Sequence, residues 1–209
     1  MAGVVVVDYG LGNLGSIRNM LGRIGVEAQV SAAPEAIAAA ERLILPGVGA
    51  FDHGMRRLGE LGLIDPLERR VRVEGVPLLG ICLGMQLLTR RSAEGQTAGL
   101  GWIEADTVAF RFPGGEPKVP HMGWNFVQPR GAGAGLLRGL EDEARFYFVH
   151  SYYVAPDDPA NTLGVTQHGL PFASMVGEGQ VYGVQFHPEK SHRFGRTLLE
   201  NFLALERPA

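Results

Sequence analysis

The single cysteine of this 209-residue chain lies in a setting that suits a nucleophile. Cys82 is the centre of Gly80-Ile-Cys-Leu-Gly84, with a glycine two residues before it and another two residues after it. Small flanking residues let a strand turn sharply into a helix, which exposes the middle side chain above the edge of a sheet. The positive end of the following helix favours thiolate over thiol. The spacing predicts a nucleophilic thiol in a nucleophile elbow, and the alternative is a buried structural cysteine.

A nucleophilic cysteine needs a base, and the base needs a group that orients it. Of the six histidines, His187 is the informative one, because it begins His187-Pro-Glu189 directly after a strand-like run. Proline disfavours helix at the residue before it, and side chains two residues apart in an extended chain lie on the same side. Glu189 can then accept a hydrogen bond from one ring nitrogen and leave the other facing Cys82. The three residues make a triad by their roles.

Acyl transfer also needs donors for the oxyanion that forms on the attacked carbonyl. The backbone amide of Leu83 is one candidate, because Leu83 follows the nucleophile at the start of the helix. The turn that contains Val48 and Gly49 is a second candidate, since its glycines leave backbone amides unobstructed, although the segment is also compatible with a plain turn. With no second cysteine and no paired histidines at ligand spacing, a metal site is not expected.

Another glycine-rich segment, near the N-terminus, suggests a different chemistry. Gly10, Gly12 and Gly15 spell G-x-G-x-x-G between a strand-like and a helix-like segment, which is the dinucleotide-binding fingerprint. Two features weaken this interpretation: no acidic residue ends the second strand, and Asp8 stands where its charge would oppose a pyrophosphate. A tight glycine turn into a helix is therefore favoured, and a nucleotide-binding oxidoreductase is kept as an alternative function.

The first half of the chain alternates apolar strand patterns with helical patterns. Buried strands are predicted at 4–7, 26–30, 43–45 and 76–81, and helices at 14–24 (with Asn13 as N-cap), 34–41, 65–74 and 83–91. This alternation predicts a parallel sheet covered by helices on both faces. We therefore expect a single three-layer α/β domain over residues 1–209, with a mostly parallel central sheet.

The second half changes to short strand-like runs separated by glycine and proline. Such runs occupy 108–112, 145–154, 162–167, 172–176 and 181–186, and a final helix begins near Ser191. The pattern predicts antiparallel strands that extend or flank the central sheet.

The composition excludes several classes of protein. A net charge of -3 gives no electrostatic footprint for nucleic acid, and 45% hydrophobic with 20% charged residues is ordinary for a globular protein. One cysteine cannot form an intrachain disulfide, which favours a reducing compartment. The N-terminal apolar run is too short for a signal peptide, and the longest apolar stretch falls short of a membrane span. We expect a soluble protein of the cytoplasm.

Taken together, these segments resemble the class I, triad-type glutamine amidotransferases. The resemblance rests on Pro46-Gly-Val-Gly49, on Gly80-Ile-Cys-Leu-Gly84 followed by Gln86, and on Gly183-Val-Gln-Phe-His-Pro-Glu189, in that order. Four further segments are similar to those of the glutaminase subunits of imidazole glycerol phosphate synthases, namely Asp8-Tyr-Gly-Leu-Gly-Asn13, Pro120-His-Met-Gly-Trp-Asn125, His150-Ser-Tyr152 and Pro188-Glu-Lys-Ser191. The similarity spans nearly the whole chain.

The resemblance implies that L-glutamine is hydrolysed to glutamate and ammonia through a thioester on Cys82, without a cofactor. His187 would protonate the departing ammonia and then activate water, and Glu189 would orient it. By the same similarity, the residues that hold glutamine would be Gln86, Glu94, His150, Ser151 and Tyr152. Taken by itself, Glu94 fits a solvated loop carboxylate, which is the usual role of a lone acidic residue.

The resemblance also implies a partner, a (βα)8-barrel cyclase that forms a heterodimer with this chain and takes up the ammonia before water protonates it. The positions expected at that interface are Asn13, Met122, Trp124, Tyr147 and Lys190, although Met122 and Trp124 also suit a core. Alternatives are a glutaminase for another synthase, such as anthranilate or pyridoxal phosphate synthase, and a catalytically dead binding module. The complete triad argues against the binding module.

Overall fold

Short β-branched and aliphatic runs of the first half form the centre of one large sheet. The computed structural model describes residues 3–140 and 143–205. Within these ranges the strands are β1 (Val4–Val7), β2 (Ala28–Ser31), β3 (Arg42–Gly47), β4 (Leu78–Cys82), β5 (Ala105–Ala109), β6 (His121–Phe126), β7 (Gln128–Pro129), β8 (Arg145–His150), β9 (Tyr152–Pro156), β10 (Thr162–His168), β11 (Leu170–Glu178) and β12 (Val181–Val184).

The helices cover the sheet and supply the turns that follow its parallel strands. They are α1 (Leu14–Arg23), α2 (Pro34–Ala39), α3 (Phe51–Glu60), α4 (Ile64–Glu68), α5 (Leu83–Leu87), α6 (Gly133–Leu136) and α7 (His192–Leu203). A π-helical turn, Arg69–Val73, continues α4, and a 3-10 turn, Pro188–Lys190, precedes α7. Among the described residues, no helix has the length and apolar character that crossing a membrane requires.

The central strands β2-β1-β3-β4-β12 are all parallel, and antiparallel strands continue the sheet from β12 through β11 and β10 to β7. The strand β9 pairs with β11 and β5. The last parallel neighbours, β3, β4 and β12, end side by side, since Gly47 pairs with Cys82 and Val184 with Ile81. The turns after these three strands therefore meet at one edge of the sheet.

Two apolar cores lie on the two faces of the sheet. Along β1, Val4 and Val6 belong to one core and Val5 and Val7 to the other, as expected when successive side chains of a strand point to opposite faces. Both faces are therefore buried, which explains why β1 is apolar without alternation. The predicted α/β fold, with its parallel centre and antiparallel additions, is confirmed.

A separate two-stranded ribbon, β6 with β8, stands outside the main sheet. The expectation of one strand over 145–154 is wrong, because the chain leaves β8 at His150 and begins β9 at Tyr152, which belongs to the main sheet. The residues of β8 and β9 form one continuous apolar run in the sequence, so only the strands with which they pair distinguish β8 from β9.

Other boundaries differ from the expectations in ways that packing explains. The helix expected over 83–91 ends at Leu87, because the backbone beyond it bonds to β5, with Arg90 N donating to Ala105 O at 3.0 Å. The strand expected over 108–112 begins and ends three residues earlier, as β5. Asn13 is the N-cap residue of α1, as predicted, but its exposed side chain makes no capping hydrogen bond.

Candidate active site

Cys82 lies at the turn between β4 and α5, in a backbone conformation that side chains rarely adopt. Its φ is 55° and its ψ is -109°, and of the described non-glycine residues only His192 also has a positive φ. Such strain persists only where the surrounding structure enforces it, and it is concentrated at functional sites. The sharp strand-to-helix turn predicted at Cys82 is present.

The two glycines that flank Cys82 allow very close packing of backbone against backbone. A Cβ on Gly80 would lie 2.7 Å from the carbonyl oxygen of Gly84, and a Cβ on Gly84 would lie 1.8 Å from the carbonyl oxygen of Leu45. These separations are far inside van der Waals contact, so no side chain fits at either position. The tight approach of α5 to β3 and β4 holds the elbow in its strained form.

His187 and Glu189 form the hydrogen-bonded pair that the sequence predicts. His187 is extended, with φ -104° and ψ 96°, and its Nδ1 bonds to Glu189 Oε1 at 2.9 Å. Both side chains are only 2% exposed. Because Nδ1 is engaged with the carboxylate, Nε2 is the nitrogen left for chemistry, and it has no hydrogen-bond partner among the described residues.

The charge of His187 depends on both Cys82 and Glu189. Burial lowers the pKa of His187, but its interactions with Cys82 and with Glu189 outweigh burial and raise that pKa to about 9. The imidazole is therefore protonated near neutral pH, which suits an acid that must give a proton to a leaving group.

A cavity of about 280 Å³ brings Cys82 and His187 together. The residues proposed for the oxyanion hole and for glutamine also line it, namely Val48, Gly49, Leu83, Gln86, Glu94, His150, Ser151 and Tyr152. Val149 and Lys190 complete the wall, although Val149 was not expected at the site and Lys190 was expected only at the interface. The wall thus brings together residues from the turns after β3, β4 and β12 and from the ribbon.

Glu94 has a structural contact as well as a place in the cavity wall. Its Oε2 accepts a hydrogen bond from the backbone N–H of Phe51 at 2.8 Å, at the first residue of α3. A carboxylate near the first turn of a helix satisfies an otherwise unpaired amide.

Gln185 is a buried residue of the site that the sequence reasoning missed. Its Nε2 donates to Cys82 Sγ at 3.7 Å, and its Oε1 accepts from Gln86 Nε2 at 3.1 Å. The available signal was its spacing, because Gln185 stands two residues before His187. Residues two apart in an extended segment share a side.

A chain of polar side chains leads from β6 to the cavity. His150 Nδ1 bonds to the Tyr152 carbonyl at 2.7 Å, and since a carbonyl only accepts, Nδ1 must carry the proton. His150 Nε2 is then the acceptor for His121 Nδ1 at 2.9 Å, and Asn125 Nδ2 donates to His121 Nε2 at 3.0 Å. Burial lowers the pKa of His150 to about 3 and that of His121 to about 4, so both rings are neutral.

The outer face of the ribbon is apolar and exposed. Met122 is 62% exposed, Trp124 42% and Phe126 57%, in the alternation of one strand face. Trp124 pairs with Tyr147 across the ribbon, and the Lys190 ammonium lies 5.8 Å from the Tyr147 ring centroid. Four of the five expected interface residues therefore share one surface, while Asn13 lies at the start of α1, which contacts the 3-10 turn that includes Lys190. Phe126 was not expected there.

The glycine turn after β1 lacks the features of a nucleotide site. Its first amide, Gly10 N, already donates to the Asp8 carboxylate, at 3.0 Å from Oδ1. This amide is therefore engaged where a phosphate would need a donor. Within the described ranges, no group of three or more His, Cys, Asp or Glu side chains is arranged to hold a metal ion.

The sequence matches the family model for class I glutamine amidotransferases over residues 5–205. The chain is 52% identical over 200 residues to a Methanococcus maripaludis protein named imidazole glycerol phosphate synthase subunit HisH 2, covering 96% of this chain and 98% of that one. It is 50% identical over 202 residues to a Pseudomonas aeruginosa protein of the same name, covering 97% and 99%.

The fold is also similar to a solved structure. A crystal structure of a glutamine amidotransferase superposes with a TM-score of 0.69 at 22% sequence identity, covering 97% of this chain and 100% of the other. At this identity the similarity concerns the fold alone.

Proposed function

The chain belongs to the class I glutamine amidotransferases, and from this premise we propose that it is the glutaminase subunit of an imidazole glycerol phosphate synthase of histidine biosynthesis. Glutamine is hydrolysed to glutamate and ammonia, and the ammonia passes to a (βα)8-barrel cyclase. The proposal rests above all on one observation: Cys82, on a strained turn, shares a cavity with His187, which is bonded to Glu189.

In the first half of the reaction Cys82 Sγ attacks the side-chain amide carbon of glutamine. The negative charge that develops on the carbonyl oxygen is stabilised by backbone amides of Leu83 and of the Val48–Gly49 turn. The Nε2–H of His187 then protonates the amide nitrogen, the C–N bond breaks, and ammonia leaves. A thioester between Cys82 and the glutamyl group remains.

In the second half of the reaction His187 must act as a base. Its change from acid to base follows from the loss of the Cys82 thiolate. Cys82 raises the pKa of His187 through its charge, and this effect disappears when the sulfur becomes a neutral thioester. Burial is then opposed by Glu189 alone, so the pKa falls and Nε2 can take a proton from water. The hydroxide attacks the thioester carbon, the C–S bond breaks, and glutamate leaves with Cys82 regenerated as thiolate.

The polar wall of the cavity fits an amino acid with an amide side chain. Glu94 suits the α-ammonium group, and the Lys190 ammonium suits the α-carboxylate. Gln86, Ser151 and Tyr152 supply hydrogen-bonding groups in the same wall. L-Glutamine carries both charges and a terminal amide.

The cyclase is expected to cover the exposed apolar face of the ribbon. Met122, Trp124 and Phe126 give that face a hydrophobic centre, and aromatic anchors of this kind are enriched where proteins bind one another. Ammonia released into water near neutral pH becomes ammonium, which is not nucleophilic, so a docked partner also protects the product. We place the complex in the cytoplasm.

The test is ammonia release from L-glutamine by the purified chain, alone and with a barrel cyclase carrying its ligand. We expect slow release from the chain alone and an increase of at least about tenfold with the loaded cyclase, which is a typical coupling between sites. No ammonia under either condition would overturn the glutaminase assignment. Release that the histidine-pathway cyclase leaves unchanged, but that an anthranilate or pyridoxal phosphate synthase partner raises, would assign the chain to that other synthase.

A further inference from the structure

The sulfur of Cys82 has a neutral hydrogen-bond donor beside it that the triad does not include. Gln185 is fully buried at 0% exposure, and its Nε2 lies 3.7 Å from Sγ. Its backbone is fixed too, because Gln185 N donates to the Ser174 carbonyl of the neighbouring strand β11 at 2.9 Å. The side chain is therefore held against the sulfur from a rigid element.

The amide of Gln185 is fixed in its orientation by two other groups. Gln86 Nε2 donates to the Tyr152 carbonyl at 3.4 Å and to Gln185 Oε1 at 3.1 Å. A carbonyl oxygen can only accept, so the Tyr152 carbonyl requires the NH₂ group of Gln86 on its side. Gln86 then requires the oxygen of Gln185, which leaves the NH₂ of Gln185 for the sulfur.

A fixed N–H donor favours the charged form of the atom that accepts from it. Hydrogen bonds to ionised groups are about twice as strong as those between neutral groups, and a donor aimed at a thiolate therefore stabilises it over the thiol. The same donor stabilises the thiolate that leaves when the C–S bond of the thioester breaks. It needs no proton transfer and is present throughout the cycle.

We propose that Gln185 is a thiolate-stabilising catalytic residue whose side-chain amide, oriented by Gln86 and the Tyr152 carbonyl, holds Cys82 in its reactive form. This inference rests on the proposed glutaminase function. Gln185 contacts the sulfur and is not among the residues that line the cavity, so its loss lowers kcat and leaves KM for glutamine nearly unchanged.

Several titratable residues lie around the sulfur of Cys82, and a test of Gln185 must leave all of them unchanged. His187, Lys190, Glu94 and His150 line the cavity with Cys82. Tyr9, at the end of β1, is buried near it, and burial together with the charge of Cys82 raises the pKa of Tyr9. None of these five is altered in the variants below.

The experiment follows the rate of alkylation of Cys82 by iodoacetamide as a function of pH, in the full chain without glutamine. Because the chain has one cysteine, the count of modified groups reports on this site alone. The variants are Gln185→Met, which removes the donor, and Gln185→Glu, which also adds a negative charge. The matched control is Gln29→Glu, which adds the same charge on the exposed strand β2.

We expect the alkylation midpoint to rise by about one pH unit in Gln185→Met and further in Gln185→Glu, as for loss of one hydrogen bond to a charged group. Below the midpoint the rate should fall about tenfold, while Gln29→Glu should match the wild type. Gln86→Met, which frees the orientation of Gln185, should shift the midpoint in the same direction by less.

A folded Gln185→Met variant with the wild-type midpoint would overturn the assignment, since a merely structural role changes the thermal midpoint and not the titration of the sulfur. If Gln185→Glu fails to fold, the alkylation midpoint of Gln185→Met alone tests the proposal. The failure of the proposed function looks different: the wild type would release no ammonia from glutamine, while the variants would still shift the alkylation midpoint.

Discussion

Two glycine-rich turns of this protein look alike in sequence and differ in what their glycines do. One follows β1 and contains Gly15, and the other follows β4 and contains Gly84. Nothing lies within 4 Å of a Cβ added at Gly15, whereas a Cβ on Gly84 would lie 1.8 Å from the carbonyl oxygen of Leu45. The first turn is open to solvent at this position, and the second is closed by backbone.

The difference teaches that glycine spacing predicts this chemistry only where backbone packs tightly around the glycines. At the second turn the close approach of α5 holds Cys82 at a φ of 55°, with His187 in the same cavity. At the first turn Asp8 closes a local loop by accepting from Gly10 N. Chemistry is therefore expected from the second turn alone.

The largest expected effect comes from removing the nucleophile. Cys82→Ala should lower glutamine hydrolysis by roughly 10⁴-fold or more, because no other group can form the acyl intermediate. Synthesis by the cyclase partner from added ammonia should remain. Asp8→Asn, which keeps a side-chain acceptor at the first turn, is the matched control and should hydrolyse glutamine at close to the wild-type rate. Retained glutamine hydrolysis in Cys82→Ala would refute the mechanism.

The next effect concerns stability at the closed turn. Gly84→Ala should lower the free energy of unfolding by more than about 4 kcal/mol, because backbone on both sides cannot move away from the added methyl group. Urea titration followed by circular dichroism measures this. A variant as stable as the wild type would mean that α5 does not approach β3 as closely as described.

The charge coupling at the second turn can be followed by NMR titration of the imidazole nitrogens. His187 should titrate near its pKa of about 9 in the wild type. In Cys82→Ala, and in protein alkylated at Cys82 as a mimic of the thioester, the midpoint should fall, because the charge that favours the imidazolium is gone while burial remains. His121 and His150 should stay neutral at neutral pH in all three samples. An unchanged midpoint for His187 would contradict the proposed switch from acid to base.

The smallest effect is expected at the open turn. Gly15 is in the first turn of α1 and has free space around it. Gly15→Ala should therefore raise the free energy of unfolding by about 0.5–1 kcal/mol, because alanine loses less backbone entropy in a helix. The same urea titration gives the value, and a loss of stability would show that Gly15 is as constrained as Gly84.

The parts of the site that could be predicted from sequence are those set by local geometry. The pair His187 and Glu189 stands two residues apart before and after a proline, so their shared side follows from the backbone alone. The elbow at Cys82 likewise follows from its two flanking glycines. The alternation of strands and helices in the first half predicted the parallel centre of the sheet, because that pattern is repeated and periodic.

The parts that could not be predicted depend on pairing between distant segments. The run over 145–154 divides at Ser151 between the ribbon and the main sheet, although its apolar pattern is continuous. Helix α3 begins at Phe51, whose amide bonds to Glu94, and no helix was expected there. The local apolar pattern predicts which side of a strand is buried, but it does not predict the strand with which it pairs.

The sequence by itself determined the chemical groups, the two local turns and the class of fold, because these depend on residues close together along the chain. Only the tertiary structure brought Gln185 to Cys82, across a separation of 103 residues. It also decided that backbone closes around Gly84 and leaves Gly15 open, since closure depends on the neighbouring backbone. The physical reason is that the parallel strands β3, β4 and β12 end together, and sheet pairing alone sets what meets at their ends.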